Sequence, residues 1–382
     1  MVDDISAAAV LRLLPTRPRV LALGEPTHWQ DELLRARNDL FTRLIEEAGY
    51  RAVGIESDCL RGLIVDDYVT TGEGDLDDVM ARGFSHGFGA GAGNRALVAW
   101  MREFNADRPA HDRVRFAGLD GAQEISYGES PRRVLLDLHA YLAGLLDPTL
   151  LPCTAAHIET LAGEDDRWTD EAAVADPTRS FGRSPQAREL RLIADDLTAL
   201  LSAFTPQLTR GLDRARLYAR AATALLRYHH WMADPTPARM TRLLGVRASI
   251  IADNILALAA RVPTLVHTHN LHLHREPSTM KMGGMELEWW SSGAIVRAHL
   301  GPEYRFVAGA LGTIPGHGVG EPPADTIEGQ LYALPGDRFV VDPRSVKAER
   351  ARPQDWFGYF PLDPARLAGV DGIVWVRDCS ST

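Results

Sequence analysis

The chain has 382 residues, 45% apolar and 24% charged, and a formal net charge of −10. That is an ordinary globular balance, too long for a small disulfide-stapled scaffold and too acidic for a surface that grips a phosphate backbone, so no nucleic-acid partner is expected. Its three cysteines, Cys59, Cys153 and Cys379, stand far apart without C-x-x-C spacing, and no apolar run reaches the ~20 residues that span a bilayer. The start, MVDDISAAAVLRLLP, lacks the basic-then-apolar order of a signal peptide, so a reduced, cytoplasmic protein without membrane contact is expected.

Short runs rich in Val, Ile and Leu that stop at polar or glycine residues predict strands at 19–24, 52–55, 114–119, 264–268, 306–311 and 373–376. Between the first two, Leu33, Leu34, Leu40, Phe41, Leu44 and Ile45 recur at helical spacing, and Gly49 follows as a stop. A second helix, at 94–104, carries Leu97, Trp100, Met101 and Phe104 on one stripe. Strands alternating with helices predict an α/β fold with a mainly parallel sheet flanked by helices.

The region 131–262 has another texture. Helical patterns at 131–146, 186–204, 211–232 and 237–260 are separated by breaks rich in Pro and Asp, and no strand is expected there. The division that follows is an α/β core at 1–130, an inserted helical bundle at 131–262, and the rest of the core at 263–382. Segments 312–323 and 342–364 are expected as long surface loops, both of a kind that often rims a substrate site.

In a parallel sheet, ligands bind outside the carboxyl ends of the strands. The first strand runs into Gly24-Glu25-Pro26-Thr27-His28, the second into Glu56-Ser57-Asp58, the third into Asp120, and the fourth into His267-Thr268-His269-Asn270-Leu271-His272. One such residue alone is more often a satisfied loop residue, but two glutamates, an aspartate and several histidines at the same edge predict a functional site. Thr27-x-x-Gln30 has capping-box form, which predicts a helix starting at His28 and a neutral imidazole at its positive end. Arg37 interrupts the apolar stripe of the first helix and requires an anionic partner, Glu25 or Glu56. Arg247 and Asn254 interrupt the last insertion helix, for either a structural network or a role in the site.

Glu25, His28, Glu56, His269 and His272 are possible metal ligands, and His267, His269, His272 and His274 form a His-rich tract. The spacing E-x-x-H is not the zincin H-E-x-x-H, so no metal or other cofactor is expected. The run from Gly87 to Ala92 fits G-x-G-x-x-A but follows no strand, and 83–93 is expected as a flexible loop near the site. There is neither G-x-x-x-x-G-K-[ST] nor G-x-S-x-G.

Taken together, Leu23-Gly24-Glu25-Pro-Thr-His28, Arg37, Gly54-Ile-Glu56, the run 97–105, Arg115-Phe-Ala-Gly-Leu-Asp120, Arg247 with Asn254, and His269-Asn270-Leu-His272 resemble the erythromycin esterase family through most of the chain. The resemblance implies an α/β core with an inserted helical bundle and hydrolysis of a macrolactone ester without a required metal. It implies His28 as the base that activates water, Glu25 and Glu56 orienting it, and Arg37, His269 and His272 lining the site and polarising the carbonyl. Trp29, Asp120, Arg247, Asn254 and His267 are then expected to contact a small-molecule ester or lactone; nothing bears on oligomeric state.

Three positions depart from the family pattern. Trp29 stands where glycine is usual, His267 where tryptophan is usual, and Ala248 where aspartate is common. Trp29 is expected to reshape the pocket, so the resemblance carries the chemistry further than the substrate. Two rivals follow from the same residues: a biosynthetic enzyme that closes a ring or transfers an acyl group, and a protein that holds a metal or haem at the His-rich edge.

Overall fold

The computed structural model describes residues 4–124, 127–282 and 284–380. Seven strands form one sheet: β1 (Val20–Glu25), β2 (Ala52–Asp58), β3 (Arg115–Asp120), β4 (Thr264–His269), β5 (Tyr304–Thr313), β6 (Arg338–Val341) and β7 (Gly372–Asp378), in the order β6-β7-β5-β1-β4-β2-β3. Every neighbouring pair is parallel except β6 and β7. The six strands expected from apolar runs are all present. The seventh, β6, was not expected, because Arg338-Phe-Val-Val341 is a short edge segment with only three buried residues.

The order carries the functional consequence. The first two strands are not neighbours: β4 inserts between them, with Glu25 level with His269 and Ile55 level with His267. The chain crosses to one side of β1 through β2 and β3, returns as β4, then crosses β1 to become β5. That reversal is a topological switch point, and its crevice opens at the carboxyl ends of β1, β4 and β2.

Helix α1 (Asp31–Ala48) buries the expected stripe, Arg37 included, and ends at Gly49, whose φ of 67° suits glycine. With α2 (Ala92–Asn105) it covers one face of the sheet, where Leu33, Leu40 and Met101 share a core with Leu21, Val53 and Leu265. Between β3 and β4 come α3 (Arg132–Ala143), α4 (Pro185–Ala203), α5 (Leu212–Met232) and α6 (Arg239–Ala259). The first three share an apolar core of their own, including Leu138, Leu197 and Leu225. The last lies on the sheet, where Ile251, Ile255 and Ala259 meet Val20, Leu119 and Val266. Among the described residues no helix is long and apolar enough to cross a membrane.

Two expected loops differ. Strand β5 continues to Thr313, and Ile314 and Val319 are buried and bridged to each other, which makes 312–323 a tight reversal. Segment 342–364 tucks Arg352, Tyr359 and Leu362 into the protein, with Arg352 donating to the carbonyls of Gly312 and Gly320. The Gly312 carbonyl lies on buried backbone and needs a donor.

A close packing joins β1, β4 and β5 beneath the crevice. The Asn270 amide donates to the Gly309 carbonyl at 2.9 Å and accepts from the Gly309 N–H at 3.1 Å. It occupies the space a side chain at Gly24 would need: a Cβ there would lie 2.0 Å from Asn270 Oδ1. Gly24→Ala is expected to displace the amide and cost about 3 kcal/mol, read from urea denaturation. A loss below about 0.5 kcal/mol would show that Asn270 moves freely.

Candidate active site

Residues 26–30 form a tight turn from β1 into α1. His28 Nδ1 lies 2.7 Å from Glu25 Oε1, three residues back, and its Nε2 lies 3.8 Å from Glu56 Oε1, beyond hydrogen-bonding distance. The helix starts at Asp31, not at His28; Gln30 is its N-cap without a side-chain hydrogen bond, and Thr27 Oγ1 and Gln30 Oε1 are buried without partners. The expected capping box does not form because Trp29 is left-handed, with a φ of 59°, which turns the chain between the two residues.

The helix end therefore does not govern His28. Burial pulls its pKa down, but the charges of Glu56 and Glu25 and the Glu25 hydrogen bond outweigh burial and the opposing Arg247, and raise it above the ordinary value. Burial likewise pushes the Glu25 carboxyl up, yet the charge and hydrogen bond of His267, with those of His28, hold it well below the usual range. Both nitrogens of His267 face acceptors, Leu23 O and Glu25 Oε2, each at 3.1 Å. That satisfies the ring fully only when both nitrogens carry hydrogen.

Glu56 is the hub. Its Oε2 accepts from the His269 backbone N–H at 2.8 Å, and its Oε1 meets Arg247 Nη2 at 3.1 Å and His272 Nε2 at 3.0 Å. Despite burial, His272, His28 and Arg247 hold it well below the carboxylate range. Arg247 also grips Asp120, through Nε at 2.9 Å and Nη2 at 2.6 Å. Asn254, further along α6, donates to Leu119 O and accepts from Arg220, so it ties helix to strand without reaching the carboxylates.

His269 does not stand ready as a cation. Its Nδ1 accepts from the Leu271 N–H, so the proton sits on Nε2 and points to Pro26 O; burial, with the nearby His28, lowers its pKa to about 3. The ring packs edge-on to His28 and Phe360. His272, expected in a loop, lies in a short helix, Asn270–Leu273, and its Nδ1 is buried without a partner.

Arg37 is fully buried, and its hydrogen bonds go to Asn94 and Asn38 rather than to a carboxylate. Burial lowers its pKa to about 10 against the pull of Glu25 and Asp31. With Glu25, Glu56, Asn94 and His267 it lines a cavity of about 210 Å³, walled by Trp29 and Phe88. Asn94 was not anticipated, although it sits on the apolar stripe of α2 and interrupts it as Arg37 interrupts that of α1. His86, Phe88 and Phe360 were also missed, since loop aromatics carry no periodic signal.

Segment 83–93, expected as a flexible loop, packs onto the site. Phe88 contacts the rings of His28 and Trp29, and a side chain at Gly89 would strike the Met80 carbonyl. Trp29 and His86 are the non-glycine residues with positive φ among the described residues, and Trp29 Nε1–H donates to the His86 carbonyl. Each such residue costs about 1–2 kcal/mol.

Among the described residues, no three His, Cys, Asp or Glu side chains are arranged to hold a metal ion. The histidine tract is divided instead: His267 is on Glu25, His272 on Glu56, and His274 lies against Phe306.

Fold and site thus define an α/β protein with a histidine held between two carboxylates at the switch point of its sheet. The chain belongs to the erythromycin esterase family, whose model matches residues 45–378; Glu25, His28 and Arg37 precede that stretch, and Glu56, Asp120, Arg247, His269 and His272 fall within it. Erythromycin esterase type II of Escherichia coli is 30% identical over 118 residues, which span 31% of this chain and 27% of that protein. A Bacillus cereus protein of known structure superposes with a TM-score of 0.74 at 16% identity, over 99% of this chain and 95% of its own. A succinoglycan biosynthesis protein gives 0.72 at 17%, with the same coverage. An erythromycin esterase variant in its open conformation gives 0.65 at 18%, over 95% of this chain and 91% of that one. These three likenesses concern the fold.

The backbone at position 29 is one that only glycine adopts without strain. Trp29→Gly and Trp29→Ala remove the same ring contacts, but only the first removes the left-handed penalty. The glycine variant is therefore expected to be the more stable by about 1 kcal/mol in urea denaturation; equal stability would mean that the turn carries no strain.

Proposed function

We propose that the chain hydrolyses a carboxylic ester or macrolactone of a bulky natural product, with His28 activating water. The observation that supports this best is the 2.7 Å contact between Glu25 and His28 Nδ1, which leaves Nε2 as the nitrogen that takes the proton. As water attacks the ester carbonyl, its proton passes to Nε2 and charge builds on the carbonyl oxygen. His28 then returns the proton to the departing alcohol.

Arg37 is the donor for that oxygen, since it spends its bonds on amide oxygens rather than on a carboxylate. A protonated His272 is the second, because its Nε2–H is held by Glu56 and only a ring carrying both hydrogens donates from Nδ1. His269 positions the His28 ring by packing rather than by charge. Arg247 and Asp120 act through Glu56, and Asn254 through the end of β3. In this reading no metal takes part; His267 and His269 spend their ring nitrogens on Leu23, Glu25, Pro26 and Leu271. Trp29 and Phe88 give the approach to His28 an apolar wall suited to a macrolactone.

That same wall favours a second reading, in which water is excluded and an alcohol or amine attacks instead, closing a ring or transferring an acyl group. Turnover of macrolactones in ¹⁸O-water separates the two. Hydrolysis places label in the released carboxylate, and unlabelled product means another nucleophile.

His28→Asn is expected to lower kcat by about 10²-fold or more with the fold intact by circular dichroism. Wild-type turnover would remove His28 from the chemistry. The base must be neutral, so kcat/KM is expected to fall as pH drops through a midpoint above the ordinary 6.5 of imidazole. Glu25→Gln removes a group that raises His28, so the pH profile of that variant is expected to move to lower pH. An unmoved midpoint would leave Glu25 with a purely structural part.

A further inference from the structure

Helix α6 has two working faces. Arg247 and Asn254 look toward the strand ends, while Ser249 and Asp253 line an open groove of about 410 Å³ between α4, α5 and α6. Its α5 wall presents Arg216, Arg220 and Arg227 at helical spacing, and Arg191 of α4 stands beside Arg227 where the groove continues.

These cations are poorly compensated. The guanidinium groups of Arg188, Arg191, Arg216 and Arg227 make no hydrogen bond, ion pair or ring contact among the described residues, a state shared among the other arginines only by those of Arg17 and Arg210. Arg220 donates from Nε to Asn254, and its terminal amino groups have no protein acceptor among those residues. Like charges four apart on a helix repel, and burial together with Arg216 lowers Arg220 despite Asp253. Asp253 and Asp195 are the carboxylates on the groove, fewer than the arginines. In a chain of net charge −10, cations gathered without partners call for an external anion.

Length narrows its chemistry. From Arg216 to Arg227 the helix rises about 16 Å, so a single phosphate reaches only neighbouring arginines and a chain of phosphates is needed to engage the row. The guanidinium fork suits phosphate oxygens, and the opposite wall, at Thr198 and Ser202 of α4, adds no carboxylate there.

We propose that this groove binds a polyphosphorylated small molecule along the Arg216–Arg220–Arg227 row. The site is separate from the ester chemistry. It is tied to the sheet through Arg220, Asn254 and the Leu119 carbonyl, one residue before Asp120.

Calorimetric titration with inorganic tripolyphosphate and with orthophosphate at fixed ionic strength tests the proposal. Tripolyphosphate is expected to bind one per chain and about tenfold or more tighter than orthophosphate. The doubly substituted Arg216→Ser/Arg227→Ser protein, both positions being exposed, is expected to keep its fold by circular dichroism and lose about tenfold or more of that affinity. Arg17→Ser/Arg210→Ser, with the same change in net charge, is expected to bind as the parent does. Absence of saturable binding, unchanged affinity in the groove variant, or equal losses in both variants would overturn the proposal.

Discussion

Three carboxylates, Glu25, Glu56 and Asp120, stand at or within two residues of the carboxyl ends of three strands of one sheet and are all buried, so each must be matched by a cation or donor within the protein. Arg247 bridges Glu56 and Asp120, His267 and His28 hold Glu25, and His272 holds Glu56. Losing one partner of such a buried set leaves an uncompensated charge that costs about 3–5 kcal/mol. This constraint pins α6 to the ends of β2 and β3, fixes the turn after β4 through the His269 N–H, and sets the position of His28.

The same electrostatics assign the histidines different chemistry. His28 is raised by two carboxylates and lies at the accessible mouth. His269, a ring's width away, is kept neutral by burial and by bonds that use both nitrogens. Over this arrangement lies a strained pair of turns, Trp29 and His86, joined by one hydrogen bond and packed on Phe88. Strain of this kind persists where surrounding packing over-determines the backbone, and here it shapes the approach to His28.

Much of the fold was legible because buried parallel strands read as apolar runs and an amphipathic helix as a stripe. Arg37 and Arg247 were legible as interruptions of such stripes, and by the same rule Asn94 should have been. The partner of Arg37 was not legible, since whether a buried guanidinium meets carboxylate or amide depends on which helix packs against it. The capping box failed because local spacing cannot report a positive φ at a tryptophan, which only packing from Phe88 and His86 sustains.

Sequence by itself determined that acids and histidines gather at the carboxyl edge of a parallel sheet, because strand ends are local and the edge rule follows from the fold class. Only the tertiary structure decided which of them meet. The insertion of β4 between β1 and β2 sets His267 and His269 beside Glu25 and Glu56 across more than 200 residues of chain. Strand order is a property of non-local pairing, and from it follow the partners of His267 and His269 at this site.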